Sequence, residues 1–360
     1  MLLTTIALAS IAQILPAAPV QATDSSAANL SHQHGPGCGL YLEEGDRETI
    51  LTLEAARGVG PSALQVDGVT RAISMTFHVV RRDNGSSGLS QARLDQAIID
   101  CNAAFADAGM VFYQDGATDY INSDAYYFNI NTMAEINALR SINNQPNSID
   151  IYFTPNLAYE SGGLCGISAF TFSSSQGIAM KNSCTALPDN ASTFPHEVGH
   201  YFDLFHTHEP FFGNECVSGN NCGIAGDLVC DTPADPQLGN SNVNTFCQYT
   251  GNAQGPCNGD GAYAPDVTNL MSYSSKSCRD NFSQGQCDRA VQTLLDSRPD
   301  YVYGCVGDIT LDGAVAVGDI LLVIDTWGEC SMPCLADIDG DGISGVTDLL
   351  AVLENWGACE

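Results

Sequence analysis

"HEVGHYFDLFHTH", residues 196–208, carries four of the seven histidines in the chain. His196, Glu197 and His200 are spaced H-E-x-x-H. Positions i and i+4 stack on one face of a helix. The two imidazoles can therefore grip one metal ion, while Glu197, one residue round, reaches a water beside it. His206 follows six residues after His200, too far to continue that face. The chain must turn near Asp203 to bring His206 back. Pro195 confines the helix start to Ser192 or Thr193, because proline is harmless only in a first turn.

The extended pattern H-E-x-x-H-x-x-G-x-x-H is the metzincin zinc signature. Asp203 stands at its glycine position, where the helix ends in a left-handed residue. Aspartate is among the few other residues that tolerate that conformation. Metzincins also need a tight turn with a methionine beneath the metal. "TNLMSYSS", residues 268–275, supplies Met271 as that structural base, with Tyr273 two positions on. Two rivals are open. In a gluzincin a glutamate replaces His206 as third ligand, Glu215 being the nearest, but this leaves the Met271 turn unexplained. A catalytically inactive adhesion or scaffold protein would keep the fold alone, and the intact Glu197 argues against it.

The 360 residues suffice for two or three domains. Twelve basic against 42 acidic side chains leave a net charge of −30, and the only lysines are Lys181 and Lys276. Nucleic acid is excluded as a partner, since phosphate binding needs a basic surface; the acidity suits a soluble, secreted chain. An apolar run from Leu2 to Leu15 is followed by "VQA", a cleavage pattern ending at Ala22, which reads as a signal peptide. The run is too short for a membrane span, and no second run reaches that length. Most of the fifteen cysteines should pair in an exported chain, and the odd number leaves at least one over.

"AISMTFHVVRR" (72–82) reads as the first strong strand, with His78 in a plain packing role. Residues 89–109 have helical period and end at Gly109. "SIDIYFTPNL" and "GIAMKNS" read as further strands, and "ETILTLEAARG" (48–58) as a short helix. With the zinc helix that begins near Ser192 or Thr193, this order is an α/β arrangement. From Thr207 to Gln286 the chain is loop-rich and cysteine-dense, so it needs disulfide staples whose pairing spacing does not reveal.

The last segment repeats itself. "CVGDITLDGAVAVGDILLVIDTWGEC" and "CLADIDGDGISGVTDLLAVLENWGAC" align with an offset of 29, Cys305 on Cys334 and Trp327 on Trp356. The second copy is a calcium loop of EF-hand type. Its ligands are Asp337, Asp339, Asp341, the Ile343 carbonyl and Asp348, with Gly342 at the sharp turn. The first copy offers Asp308, Thr310, Asp312, the Ala314 carbonyl and Asp319, one carboxylate fewer and so weaker. Each loop leads into a helix with one apolar face: Ile320, Leu321, Ile324, Trp327, and Leu349, Leu350, Leu353, Trp356.

Residues 70–300 resemble the pappalysin (cytophagalysin) family of metzincin peptidases. The likeness rests on "HEVGHYFDLFHTH", "GDLVCDTPADP" and "TNLMSYSSKSCRDNFSQGQCDRAV" in that order. It implies an α/β (α+β) zincin fold: a twisted, mostly parallel sheet, a backing helix, a zinc helix and an irregular disulfide-rich lower half. It implies a zinc endopeptidase acting on proteins or peptides, with His196, His200 and His206 on Zn2+, Glu197 as general base, and Tyr273 near the metal or the oxyanion. It also implies calcium near the active site, with Asp227, Asp231 and Thr232 as candidates. Members of the family can carry a prosegment cysteine on the metal, here Cys38 of "GPGCGLYLEE"; a Cys38–Cys101 disulfide is the alternative. Residues 304–360 resemble a dockerin, a small all-α module that uses Ca2+ and docks onto a cohesin-like or cell-surface scaffold partner. The expected organisation is a signal peptide (1–22), a propeptide (23–69), a peptidase domain (70–303) and the docking module (304–360) of a secreted protein, cell-surface associated through that module.

Overall fold

The computed structural model describes residues 38–39, 42–43, 45–57, 69–159, 162–330 and 333–359. The signal-peptide reading and His32 and His34 lie outside them. Among the described residues, no helix is long and apolar enough to cross a membrane.

The first helix, α1 (Asp46–Arg57), precedes the sheet. Strand β1 (Arg71–Arg81) forms the sheet's spine and is buried on both faces. Its two faces differ. Ile73, Met75, Phe77 and Val79 enter the main core. On the other face Ser74 donates to the Asn147 carbonyl and Thr76 pairs with Ser148. His78 does more than pack: Nδ1 lies 2.8 Å from Asp119 and Nε2 2.9 Å from Asp150, with the ring stacked on Tyr152. These bonds satisfy polar groups that burial would otherwise penalise.

Helix α2 (Gln91–Ala104) buries Leu94, Ala97 and Cys101. It stops earlier than its periodicity suggests: a 3-10 turn follows Phe105, and Gly109 closes it at φ 63°. The chain then adds β2 (Met110–Gln114) and β3 (Asp119–Asn122), which sequence pattern did not separate. Helices α3 (Asp124–Phe128) and α4 (Met133–Leu139) lead to β4 (Ile149–Thr154). A small hairpin, β5 (Ala158–Tyr159) with β6 (Gly162–Gly163), precedes β7 (Gly166–Ser168) and β8 (Ile178–Lys181). The sheet order is β2-β1-β4-β8-β7, with β3 beside β1. All pairs are parallel except β7 with β8, so β7 is an antiparallel edge. Under the sheet lies α5 (Thr193–Tyr201), starting where Pro195 required. After a long loop region, α6 (Gln284–Ser297) begins with a capping box at Ser283 and Gln286.

Four disulfides staple the catalytic part: Cys165–Cys184, Cys216–Cys257, Cys222–Cys230 and Cys247–Cys278. Two more, Cys305–Cys359 and Cys330–Cys334, lie in the terminal segment. Three cysteines are free: Cys38, Cys101 and Cys287.

The terminal repeat holds α7 (Val317–Asp325) and α8 (Val346–Glu354). It is not purely helical. Strand β9 (Ala314–Val315), in the first loop, pairs with β12 (Gly357–Ala358) at the end of the second copy. Reciprocally, β10 (Gly328–Glu329) pairs with β11 (Ile343–Ser344). The glycine of each W-G pair is needed there: Gly328 and Gly357 sit at φ 122° and 143°, where side chains fit poorly. The apolar helix face expected from the pattern is mostly outside. Val323 and Val352 fill the small core with Ile309 and Val315. Leu321, Ile324, Trp327, Leu350, Leu353 and Trp356 are exposed.

Candidate metal centre

Every residue of α5 is buried. Gly199 belongs there for a steric reason: a Cβ would stand 2.7 Å from the Met271 sulfur. Met271 is thus packed directly against the helix, and its carbonyl accepts from Thr207 N. Asp203 ends the helix at φ 59°, the left-handed turn its position demanded. Its carboxylate does further duty, accepting from Thr171 N at 2.9 Å and Thr171 Oγ1 at 2.6 Å.

This turn brings His206 back. His206 Nε2 lies 3.1 Å from His200 Nε2 and 3.3 Å from His196 Nε2. His196 Nδ1 donates to the Leu270 carbonyl at 2.6 Å, and His200 Nδ1 to the Leu204 carbonyl at 2.7 Å. A carbonyl only accepts, so the Nδ1 atoms hold the protons and the Nε2 lone pairs face inward. Burial holds His196 and His206 well below the usual histidine range and brings His200 to about 4. The rings are therefore neutral, as metal ligands must be. Lone pairs facing one another at this distance repel unless a cation lies between them. Tetrahedral zinc with Zn–N near 2.0–2.1 Å would separate its nitrogens by about 3.3 Å, so the set fits zinc.

Cys38 completes the group. Its sulfur is 3.3 Å from His200 Nε2, and Cys38, His196, His200 and His206 can all offer ligand atoms to one ion. Gly39 N donates to the Gly166 carbonyl, and Cys38 bridges Gly166 in parallel sense. The segment carrying Cys38 therefore extends the sheet edge at β7. The alternative disulfide to Cys101 is not formed; Cys101 is buried in the main core. Helix α1 fastens the same segment: Ile50 packs with Phe170, Phe205, Phe212 and Leu228, and Arg289 binds Glu54 at 2.8 Å.

Glu197 is fully buried, and neither carboxylate oxygen has a hydrogen-bond partner. Burial raises its pKa to about 8, the Cys38 thiol and the Lys276 and Arg279 charges pulling it back. Strand β7 passes close above: a Cβ on Gly166 would stand 2.5 Å from the Glu197 side chain. No sequence signal marked Gly166. The Tyr273 ring lies tilted against two imidazoles, its centroid 4.6 Å from that of His206 and 4.4 Å from that of His208.

Glu215, the rival third ligand, is elsewhere. It neighbours Asp227, whose pKa burial and then the Glu215 charge push up. Thr232 Oγ1 donates to both Asp227 oxygens. Asp231 does not join them; it accepts from Ser283 Oγ and Gly285 N at the start of α6. Of the three calcium candidates near the active site, Asp227 and Thr232 thus touch, and Asp231 caps α6 instead. In the second terminal loop Asp337, Asp339 and Asp348 can offer oxygens to one ion; Asp341 instead accepts from Ile343 N. In the first loop Thr310 Oγ1 joins Asp308 and Asp319. Asp312 turns its carboxylate to Ala314 N.

A fold with a parallel sheet over a buried H-E-x-x-H helix defines a zinc metalloprotease. Comparisons agree. The family described as pregnancy-associated plasma protein-A matches residues 169–295, and a reprolysin-like metallopeptidase family matches residues 91–207. An extracellular metalloprotease of Colletotrichum graminicola is 30% identical over 249 residues, covering 65% of this chain and 79% of that protein. One from Arthroderma benhamiae is 27% identical over 254 residues, covering 67% and 84%. A promirolysin mutant from Tannerella forsythia shares the fold at TM-score 0.51 and 18% identity, over 74% of this chain and 96% of that one. The chain belongs to the pappalysin-type metallopeptidases.

Proposed function

We propose that this chain is an extracellular zinc endopeptidase made as a latent precursor, with residues 23–69 as propeptide, 70–303 as peptidase domain and 304–360 as a calcium-dependent docking module. The convergence of three buried, neutral Nε2 atoms beside an unpartnered Glu197 carboxylate carries the reading.

His196, His200 and His206 hold the zinc. The ion supplies Lewis acidity towards water and the scissile carbonyl. Glu197 does the proton work: as a buried base with an elevated pKa it takes a proton from water and returns it to the leaving amine. Tyr273, whose ring packs tilted against His206, supports the oxyanion. Met271 holds the helix from below.

Cys38 blocks the site in the precursor. Its thiol is raised by burial and by Glu197, so it bonds metal as thiolate only where a cation compensates. Calcium is the natural occupant of the terminal loops and of the buried acids Glu215 and Asp227. The exposed, duplicated apolar faces of α7 and α8 support docking onto a cohesin-like or cell-surface scaffold.

Casein or gelatin digestion by the full chain and by Cys38→Ala, with and without a zinc chelator, tests this. Chelator-sensitive cleavage by Cys38→Ala, well above that of the unmutated precursor, is expected. No cleavage by either would sink the peptidase reading; equal cleavage would sink the latency.

A further inference from the structure

The three imidazoles of the metal centre are not held alike. His196 and His200 stand on α5 and donate their Nδ1 protons to carbonyls at 2.6 and 2.7 Å. His206 stands beyond the helix, on the chain that returns after Asp203, so helical geometry does not fix its ring. Its Nε2 faces the other two Nε2 atoms, which leaves Nδ1 to carry its proton. Among the described residues this Nδ1 makes no hydrogen bond, and the acid beside it is Glu209, whose Oε2 lies 3.9 Å away.

The backbone sets Glu209 there. Its N–H donates to the His206 carbonyl at 2.9 Å, closing a turn that brings the two side chains together. Both residues are buried, and Phe211 N donates to Glu209 Oε1 at 3.0 Å. That bond pins one carboxylate oxygen. The other, Oε2, makes no hydrogen bond among the described residues, so no competing donor holds it. A separation of 3.9 Å is too short for a bridging water and about 0.7 Å longer than a hydrogen bond, a gap that a small rotation of the Glu209 side chain closes. A metal-bound imidazole commonly donates its other N–H to a carboxylate, which fixes the ring and raises its basicity.

We propose that Glu209 is the positioning residue of the third zinc ligand: its carboxylate takes the Nδ1 proton of His206, fixes that ring and strengthens its bond to the metal. The zinc signature ends at His206, so its spacing does not contain Glu209. A carboxylate suits the place better than any neutral group. Two donors, Phe211 N–H and His206 Nδ1–H, converge on this one side chain, and a carboxylate has an oxygen for each. An amide has one oxygen, and its NH2 group would meet one of the two donors. The inference rests on the zinc reading above and adds a residue that tunes the same site.

The test uses the full chain carrying Cys38→Ala, with and without Glu209→Gln. Zinc affinity is read by competition with a chromogenic chelator, and thermal unfolding of the zinc-free proteins controls for packing. Glu209→Gln should weaken zinc binding by about 10–100-fold, while the zinc-free melting temperature stays close to that of the parent. With cobalt in place of zinc, the visible absorption bands should shift in the variant, because the ligand field of His206 changes. Equal zinc affinity in the two proteins overturns the proposal, and a lower zinc-free melting temperature alongside it assigns Glu209 to packing alone. If the variant does not fold, a crystal structure of the zinc-loaded Cys38→Ala protein decides. Glu209 Oε2 within about 3.2 Å of His206 Nδ1 is expected there; a different acceptor for that proton overturns the assignment. A parent that binds no zinc overturns this inference together with the zinc reading. Zinc bound with the expected loss in Glu209→Gln, but without proteolysis in the parent, keeps the inference although the peptidase reading has failed.

Discussion

Glu197 and Asp203 show how much one side chain can carry. Glu197 is buried without a hydrogen bond, which is costly unless its task is to take up a proton. Glu197→Gln should lower proteolysis by about 10²–10⁴-fold, the range for loss of a general base. Zinc content by mass spectrometry should stay at one per chain; an active variant would refute the assignment. Asp203 occupies a left-handed turn that glycine would adopt with less strain. Asp203→Gly should nonetheless destabilise by about 1–3 kcal/mol, because Thr171 N would lose its buried partner. Thermal unfolding of the two proteins decides: a more stable Gly variant would mean that the backbone term dominates.

At the scale of elements, α1 and the acidic loop each make a claim. Helix α1 anchors the segment that carries Cys38, through Ile50 in an aromatic cluster and Glu54 on Arg289. Ile50→Ala should weaken that docking by about 2–5 kcal/mol and raise precursor activity with Cys38 still present. Unchanged activity would remove α1 from the proposed latency. In the loop, burial holds Glu215 up at about 7 and pushes Asp227 the same way. Acids with raised folded values keep protons that the unfolded chain gives up. Their contribution is therefore fully present below about 4, the unfolded value, and is lost as pH rises through about 7. Calcium-free protein should thus become less stable between about pH 4 and 8, and calcium should flatten the slope. Melting curves that are parallel with and without calcium would remove the ion from this loop.

At the scale of the whole molecule, the terminal repeat is joined to the sheet by a short, specific path. Tyr303 N donates to the Ala72 carbonyl on β1, its ring meets Tyr113 at the end of β2, and its hydroxyl donates to Asp308 at 2.6 Å. Asp308 is the first residue of the first loop proposed to bind calcium. A partner that orients a ligating carboxylate commonly changes metal affinity by about tenfold or more. Tyr303→Phe in the full chain should weaken one of the two terminal calcium sites by about tenfold in calorimetry and leave the other alone. Equal affinities would show that the hydroxyl only holds the two parts together.

The metal centre was legible before folding because it is written at helical spacing. His196, Glu197 and His200 need only one turn of helix to face one ion, and Asp203 needs only its own tolerance of a left-handed turn. The acidic cluster of the second terminal loop was legible for the same reason: Asp337, Asp339 and Asp348 come from one short segment. Strand β1 and helix α2 announced themselves by burial pattern, whereas β2, β3 and β7 are too short for periodicity to speak. The disulfide partners, the meeting of Cys38 with His200 across 162 residues, and the pairing of Glu215 with Asp227 are long-range facts. So is the outward face of α7 and α8: amphipathic spacing says which residues share a side, not which side is covered. Local chemistry follows from neighbours in sequence. Which distant residues then share the low-dielectric space around Glu197 was settled only when the loops closed over the helix.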